Sequence, residues 1–353
     1  MEKIDLMEYG LDSNWIEEAI GFQDYFIGRI ISQSRNIYHV IHEKGELLAE
    51  ISGKMNYEAR RAQDYPAVGD FCLLDRETDE NGNGIIQRIL SRKSLFIRKS
   101  PGNCFKEQVV ASNIDTLFIC MSLNQNFNIR RLERYIVLAW ESGATPVVVL
   151  TKADLCKDIE MRVNAAMAVS QGAEVLITSV IEEGGCEEIL PYIKEGHTVA
   201  LIGSSGVGKS TLINCLLGEQ KLAIGETGRD DKGRHVTTRR ELIKLPQGGI
   251  LIDTPGMREI GMWNISESLE KAFDDVEKYF GKCKFRNCTH SCEQGCAIYA
   301  AIKNGELSEE RWQSYQKLKI EDAYIEDRVE YMEHKKEKFK NIAKYNKRIK
   351  REN

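Results

Sequence analysis

The sequence predicts a multidomain chain: an N-terminal β-barrel, a central α/β domain of P-loop type and a zinc-binding helical C-terminal domain. Three observations carry this. Short apolar runs broken by turns fill residues 25–100. The segment Gly203-Ser204-Ser205-Gly206-Val207-Gly208-Lys209-Ser210 reads G-x-x-x-x-G-K-S between an apolar run and a helical pattern. Four Cys and one His crowd into residues 281–296.

A length of 353 residues allows two or three domains. A hydrophobic fraction of 42% and a charged fraction of 29% are ordinary for a globular protein and exclude a largely disordered chain. Met1-Glu2-Lys3-Ile4-Asp5 has no apolar signal core, and no apolar stretch approaches a membrane span. A cytoplasmic protein with no membrane partner is expected, and ten Cys without a signal segment fit a reducing compartment.

Residues 1–20 read as an amphipathic lead-in around Trp15, and 21–102 as the barrel. Phe26–Ile31, Ile37–Ile41 and Phe71–Leu74 are its strand candidates, and Asn81-Gly82-Asn83-Gly84 marks a turn. Arg60, Arg61, Arg92, Lys93, Arg98 and Lys99 are either cations for a polyanion or ordinary surface charge. Ser100-Pro101-Gly102-Asn103 reads as a linker.

The central domain is expected over 109–280. Ile114–Met121 is its first strand, and Ile129–Gly143 is helical with an apolar face of Leu132, Tyr135, Ile136 and Leu138. Trp140 and Trp263 read as packing residues. The strand run Pro146–Leu150 ends in Thr151-Lys152-Ala153-Asp154. A carboxylate suits a guanine edge, because N1–H and the exocyclic amine both donate. Asp154 therefore argues for GTP over ATP, with the Lys152 stem covering the base face. Ile177-Thr178-Ser179 ends another short strand and could support the base with backbone N–H groups.

Thr198–Ile202 forms a buried strand into the P-loop. Its glycines let successive N–H groups, from Gly203 through Ser210 and Thr211, face one point at a helix N-terminus. Lys209 would reach the β- and γ-phosphates, and the Ser210 hydroxyl would hold Mg²⁺. Downstream, Gly249–Ile252 leads into Asp253-Thr254-Pro255-Gly256. Asp253 suits the Mg²⁺ shell, and Gly256 can offer an N–H to a γ-phosphate. Between them, Lys232–Arg239 carries threonines able to close on Mg²⁺. The order is base loop, P-loop, then Mg²⁺ loops, as in a circularly permuted GTPase, a rearrangement that adjacent termini permit.

The spacing C-x4-C-x-H-x5-C suits one structural Zn²⁺ held by Cys283, Cys288, His290 and Cys296, with Cys292 as a fifth candidate outside the preferred set. Disulfides are disfavoured here, and the six other Cys read as small core residues. Ser308-Glu309-Glu310-Arg311 resembles a helix start, and residues 281–353 form the C-terminal domain. Residues 334–353 carry nine Lys/Arg against two acids, so +7 there leaves −12 on the rest of a chain whose total is −5. A basic tail on an acidic body points to RNA, or to a solvated helix end.

Taken together, Thr151–Asp154, Gly203–Thr211, Gly233–Thr238, Asp253–Gly256 and Cys283–Cys296 resemble the small ribosomal subunit biogenesis GTPases of the RsgA family. The resemblance spans almost the whole chain. It implies an OB-fold for the barrel, a permuted GTPase domain and a zinc domain. It also implies a monomer that binds GTP and GDP with Mg²⁺ and contacts the small (30S) ribosomal subunit and its rRNA. GTP hydrolysis stimulated by that subunit, during its late maturation, is the implied activity.

Three departures matter. Thr151 replaces the usual Asn, so one contact to the base edge is weakened. The usual His-Thr-Thr is His235-Val236-Thr237, so Thr237 is assigned to Mg²⁺ and the γ-phosphate, with Thr238 as a substitute. Cys292 stands where several relatives carry His. Met257 fills the position where many GTPases use Gln to orient water, so His235, to which the family's catalytic His maps, is the candidate catalytic residue. The competing reading is an RNA-binding module that uses GTP mainly as an affinity switch. A small-molecule kinase is disfavoured by Asp154 and the paired Mg²⁺ motifs.

Overall fold

The computed structural model describes residues 3–78, 80, 82–99, 107–181, 184–218, 240–253, 266–290 and 293–324. These fall into two compact units, one built from 3–98 and 107–253 and the other from 266–324.

The first unit opens with a 3-10 turn, Leu6–Tyr9, and helix α1 (Ser13–Ala19). Asp12 caps α1 by accepting from the Asn14 and Trp15 N–H groups. Trp15 packs on Phe71 at 4.4 Å between ring centroids, and its Nε1 donates to the Ser91 carbonyl. The lead-in is therefore packed against the barrel.

The barrel consists of β1 (Phe26–Ser34), β2 (Ile37–His42), β3 (Gly45–Ile51), helix α2 (Gly53–Glu58), β4 (Phe71–Leu74) and β5 (Gly84–Ile89). The strands pair in the order β1-β2-β3-β5-β4, and β4 returns to β1. The β3–β5 pair is parallel and the other four pairs are antiparallel. This is the five-stranded Greek-key closure of an OB-fold. Ile30, Val40, Leu47, Ala49, Leu74 and Ile86 fill the interior. Strand β6 (Leu95–Lys99) pairs with β7 (Glu107–Ser112) in a separate two-stranded sheet.

The α/β part comprises β8 (Thr116–Ser122), α3 (Ile129–Glu141), β9 (Thr145–Thr151), α4 (Ile159–Val169), β10 (Glu174–Ile177), β11 (Thr198–Ile202), α5 (Lys209–Leu217), β12 (Glu241–Lys244) and β13 (Ile250–Asp253). The spatial order is β10-β9-β8-β11-β13-β12. All neighbours are parallel except β12, which is antiparallel to β13. Phe118, Val149, Val199, Leu201, Leu212 and Leu251 belong to the core between sheet and helices. Chain direction reverses its advance across the sheet between β8 and β11, and such a switch point opens a crevice beyond the strands' carboxyl ends.

Barrel and α/β sheet are continuous, since β1 pairs with β12 through Ser32 and Glu241. Arg29 of β1 fastens the same junction. It is buried, and it donates to the carbonyls of Tyr9 and Gly69 and to Thr198 Oγ1 on β11. Burial lowers its pKa to about 10, against the pull of Asp115 and Asp70, so it stays a cation at neutral pH.

The six barrel cations sort by partner. Arg92 is bidentate to the fully buried Asp70. Lys93 pairs with Asp115 and lies over the Trp15 ring. Arg98 is buried with its Nε on Gln108. Arg60 and Arg61 are exposed. Thus Arg92 and Arg98 are held inside the fold, Lys93 stays at the surface in its ion pair with Asp115, and nothing is described of the Lys99 side chain.

The second unit holds α6 (Ser266–Ala272), α7 (Asp274–Glu277), α8 (Ala297–Lys303) and α9 (309–324). Ser308 Oγ accepts from the Arg311 N–H, so the expected start of α9 is present. Arg311 is bidentate to Asp275 and lies 3.8 Å over the Phe273 ring. Phe273, Phe280, Trp312 and Tyr315 form an aromatic core beside it.

Among the described residues no helix is long and apolar enough to cross a membrane. Cys72 and Cys120 are core residues, as expected for scattered thiols. Cys186 and Cys215 instead form a disulfide, which the reading of isolated thiols did not include.

Candidate functional site

Five parallel strands deliver their carboxyl ends to one edge of the α/β sheet, and most of the motif residues follow from them. The P-loop leaves β11. Gly203 has φ +147°, and a Cβ there would lie 2.4 Å from the Cys120 carbonyl oxygen of β8. Only glycine lets the loop start this close to its neighbour. Gly208 has φ +99° and starts α5, whose first residues are Lys209, Ser210 and Thr211. Their backbone N–H groups therefore stand at a helix N-terminus. Lys209 Nζ folds back to the Gly203 and Ser204 carbonyls, at 2.7 and 2.8 Å.

The base motif leaves β9, two strands away. Thr151 is buried, and its Oγ1 donates to the Val207 carbonyl in the P-loop. Lys152 takes a left-handed backbone conformation, φ 58° and ψ 43°, which turns the chain at the strand end. Asp154 Oδ1 accepts from Ser179 Oγ at 2.9 Å. The Ala153 N–H donates to the Thr178 carbonyl, so the loops after β9 and β10 brace each other. Ser179 thus acts through its hydroxyl on Asp154, a role that the sequence reading limited to backbone N–H groups.

Asp253 closes β13 on the other side of the P-loop. Burial raises its carboxyl above the ordinary range, against the pull of Lys209, and Glu241 opposite it in the β12–β13 ladder adds to the rise. The structure therefore brings Thr151, Lys152, Asp154, Gly203–Thr211 and Asp253 to one edge. His235, Thr237, Thr238, Gly256 and Met257 lie outside the described residues.

One P-loop neighbour carries no signal in the sequence. Arg131 on the first turn of α3 donates from Nη1 to Ser204 Oγ at 2.9 Å. The loop ahead of α3 is held in turn by Arg162, which donates to the Leu123 and Asn124 carbonyls. In sequence these arginines look like helix-surface charge, and only the fold aims them.

The second unit carries a separate cluster. The ligand atoms of Cys283, Cys288, His290 and Cys296 lie within 4.8 Å of one another. His290 Nδ1 is 3.4, 3.6 and 3.5 Å from the three sulfurs. A tetrahedral ion with metal–sulfur bonds of about 2.3 Å and a metal–nitrogen bond of about 2.0 Å has N···S edges of about 3.5 Å. The spacing therefore fits a four-coordinate metal. The His290 ring stacks on Phe280 at 5.0 Å and meets Trp312 edge-on, which ties the cluster to the aromatic core. Cys288 donates to Glu293 Oε2 at 2.9 Å, which pushes its pKa up to about 12. Cys292 lies outside the described residues.

A protein-family model described as RsgA GTPase matches residues 89–263. Small ribosomal subunit biogenesis GTPase RsgA 2 of Lactiplantibacillus plantarum is 46% identical over 322 residues, covering 91% of this chain and 90% of the relative. The chain belongs to the RsgA family. Two solved structures agree. YjeQ from Thermotoga maritima matches with a TM-score of 0.61 at 26% identity, covering 85% of this chain and 99% of that one. YloQ, a circularly permuted GTPase, matches with a TM-score of 0.59 at 25% identity, covering 86% and 96%. This RsgA-family chain has the same permuted arrangement. Counted from β11, its strands run β11, β12, β13, β8, β9, β10, while the sheet keeps one continuous order. It is an enzyme of the RsgA GTPase family with a Cys₃His candidate metal centre.

Proposed function

We propose that this chain hydrolyses GTP as an assembly factor in late maturation of the small ribosomal subunit, and that the subunit stimulates turnover. The observation that carries the proposal is the convergence of Asp154, the P-loop and Asp253 at one sheet edge in an RsgA-family chain. Guanine donates from N1 and its amine to Asp154, which Ser179 holds in place. The P-loop N–H groups and Lys209, swung from its own carbonyls, bind the phosphates. Mg²⁺ would be held by Ser210 and Thr237, with Asp253 in its outer shell, and would neutralise charge on the β- and γ-oxygens. His235 orients the attacking water when the subunit is bound. Zn²⁺ in the Cys283, Cys288, His290 and Cys296 site is structural, because four protein ligands leave no open position.

The proposed division is a lead-in over 1–20, the barrel over 21–102, the GTPase domain over 109–280 and the zinc domain over 281–353, acting as a cytoplasmic monomer, although α6 and α7 at the end of the third segment share a compact unit with the zinc site. For rRNA the barrel offers the α2 region, where Tyr57 is 90% exposed and Lys54, Arg60 and Arg61 are exposed beside it in sequence. Aromatic and basic groups together suit unstacked bases and phosphates.

Asp154→Asn should lower GTP affinity by about 10- to 100-fold, the loss of a hydrogen bond to a charged group. It should raise affinity for xanthosine triphosphate, whose C2 carbonyl accepts where guanine donates. Equilibrium titration with both nucleotides checks this.

Co-sedimentation with purified small subunits tests the partner. Binding should be tighter with a non-hydrolysable GTP analogue than with GDP, because the γ-phosphate orders the Thr237 and Gly256 loops. It should weaken steeply with salt. Deleting residues 334–353 should lower affinity and flatten that dependence. Equal binding with both nucleotides contradicts the switch, and full binding by the truncated chain removes the tail from the interface.

A further inference from the structure

The Thr151 hydroxyl is already committed within the protein. It is buried at the end of β9 and donates to the Val207 carbonyl, 56 residues on in the P-loop. A threonine hydroxyl has one hydrogen, whereas the side-chain amide of the Asn usual at this position has two. Guanine N7 is an acceptor, so reading it requires a donor. An amide can hold the P-loop carbonyl with one hydrogen and reach N7 with the other, but a hydroxyl cannot do both. Three neighbouring donors are engaged as well. Ser179 Oγ donates to Asp154, the Thr178 N–H to the Leu150 carbonyl and the Ala153 N–H to the Thr178 carbonyl. Close packing supports the contact, since a Cβ on Gly208 would lie 3.8 Å from Thr151 Cβ and 4.0 Å from Lys152 Cε.

Resting on the assignment of guanine to Asp154, we infer that Thr151 is a clasp between the base loop and the P-loop, that it does not read N7, and that Asp154 supplies the guanine selectivity from the opposite edge of the base. Thr151 is thus a positioning residue. It fixes how far the base lies from the phosphates, because it joins the loop that holds one to the loop that holds the other.

The test is equilibrium binding of the full chain to GTP, 7-deaza-GTP and ATP. In 7-deaza-GTP a C–H replaces N7 and the Asp154-facing edge is unchanged. GTP and 7-deaza-GTP should agree within about twofold, less than a hydrogen bond is worth. A deficit of about fivefold or more for 7-deaza-GTP, with GTP still preferred over ATP, overturns the inference. Loss of preference for GTP over ATP would instead mean that the guanine assignment itself is wrong.

Thr151→Val is nearly isosteric and removes only the hydroxyl. It leaves the Val207 carbonyl without its donor, so it should weaken GTP and 7-deaza-GTP by the same factor, about 3- to 10-fold. Selective weakening of GTP would show that the hydroxyl reads N7, and unchanged binding of both would remove the clasp. Thr151→Asn should open a gap of about threefold or more in favour of GTP, since the amide adds the second donor. Equal binding of the two nucleotides by a folded Thr151→Asn variant would contradict the single-hydrogen argument.

Discussion

Lys209→Ala should lose nucleotide binding, whereas His235→Ala should bind GTP normally and lose subunit-stimulated turnover by about 10²–10⁴-fold, the range of positioned acid–base groups. The two variants separate binding from chemistry. Lys209 stands at the first turn of α5, and its ammonium is the cation of the P-loop, held on the Gly203 and Ser204 carbonyls. Removing it takes the P-loop's own cation from the phosphates and leaves only backbone dipoles and Mg²⁺ against their charge. His235 touches no part of the phosphate cradle in the proposed mechanism and acts only on water, because Met257 cannot. Single-turnover rates with saturating GTP and subunits read the chemical step directly. Unchanged stimulated turnover in His235→Ala would remove His235 from the mechanism.

Cys283→Ser or His290→Ala should reduce zinc from one ion per chain to near none, while Cys292→Ser should keep full occupancy. The reason is geometric, since Nδ1 of His290 already stands at tetrahedral edge distance from three sulfurs. The described residues from 283 to 295 bury little, so the segment depends on its metal more than on a core. Metal analysis of purified variants checks the ligand set. Occupancy should also fall as pH is lowered, because protons compete with the metal for the three thiolates and the imidazole. Loss of zinc in Cys292→Ser would mean that the ligand set includes Cys292.

The parts legible in the sequence were those whose chemistry demands fixed local spacing. The P-loop, the Thr151–Asp154 motif, the Asp253 strand end and the C-x4-C-x-H-x5-C cluster each need their ligands within one turn or loop. Strands β1, β2 and β4 were visible as apolar runs, but β3 was not, although its burial alternates along Gly45–Ile51. Its outward glutamates and short apolar residues give a weak signal in a single sequence. The roles of the arginines were hidden for a different reason. Arg29, Arg92 and Arg131 look alike in sequence, yet one bridges the barrel to β11, one neutralises a buried carboxylate and one braces the P-loop. Their partners lie 169, 22 and 73 residues away, beyond any local pattern. The Thr151 clasp and the Cys186–Cys215 bond are invisible for the same reason, being products of tertiary packing.

The most direct test is the rate of GTP hydrolysis by the intact chain with and without purified small ribosomal subunits. An assembly GTPase predicts slow intrinsic turnover and stimulation of at least about tenfold by the subunit, as expected when a partner orders catalytic groups. Unchanged turnover, with nucleotide-dependent subunit binding intact, would contradict that account and leave GTP as an affinity switch alone.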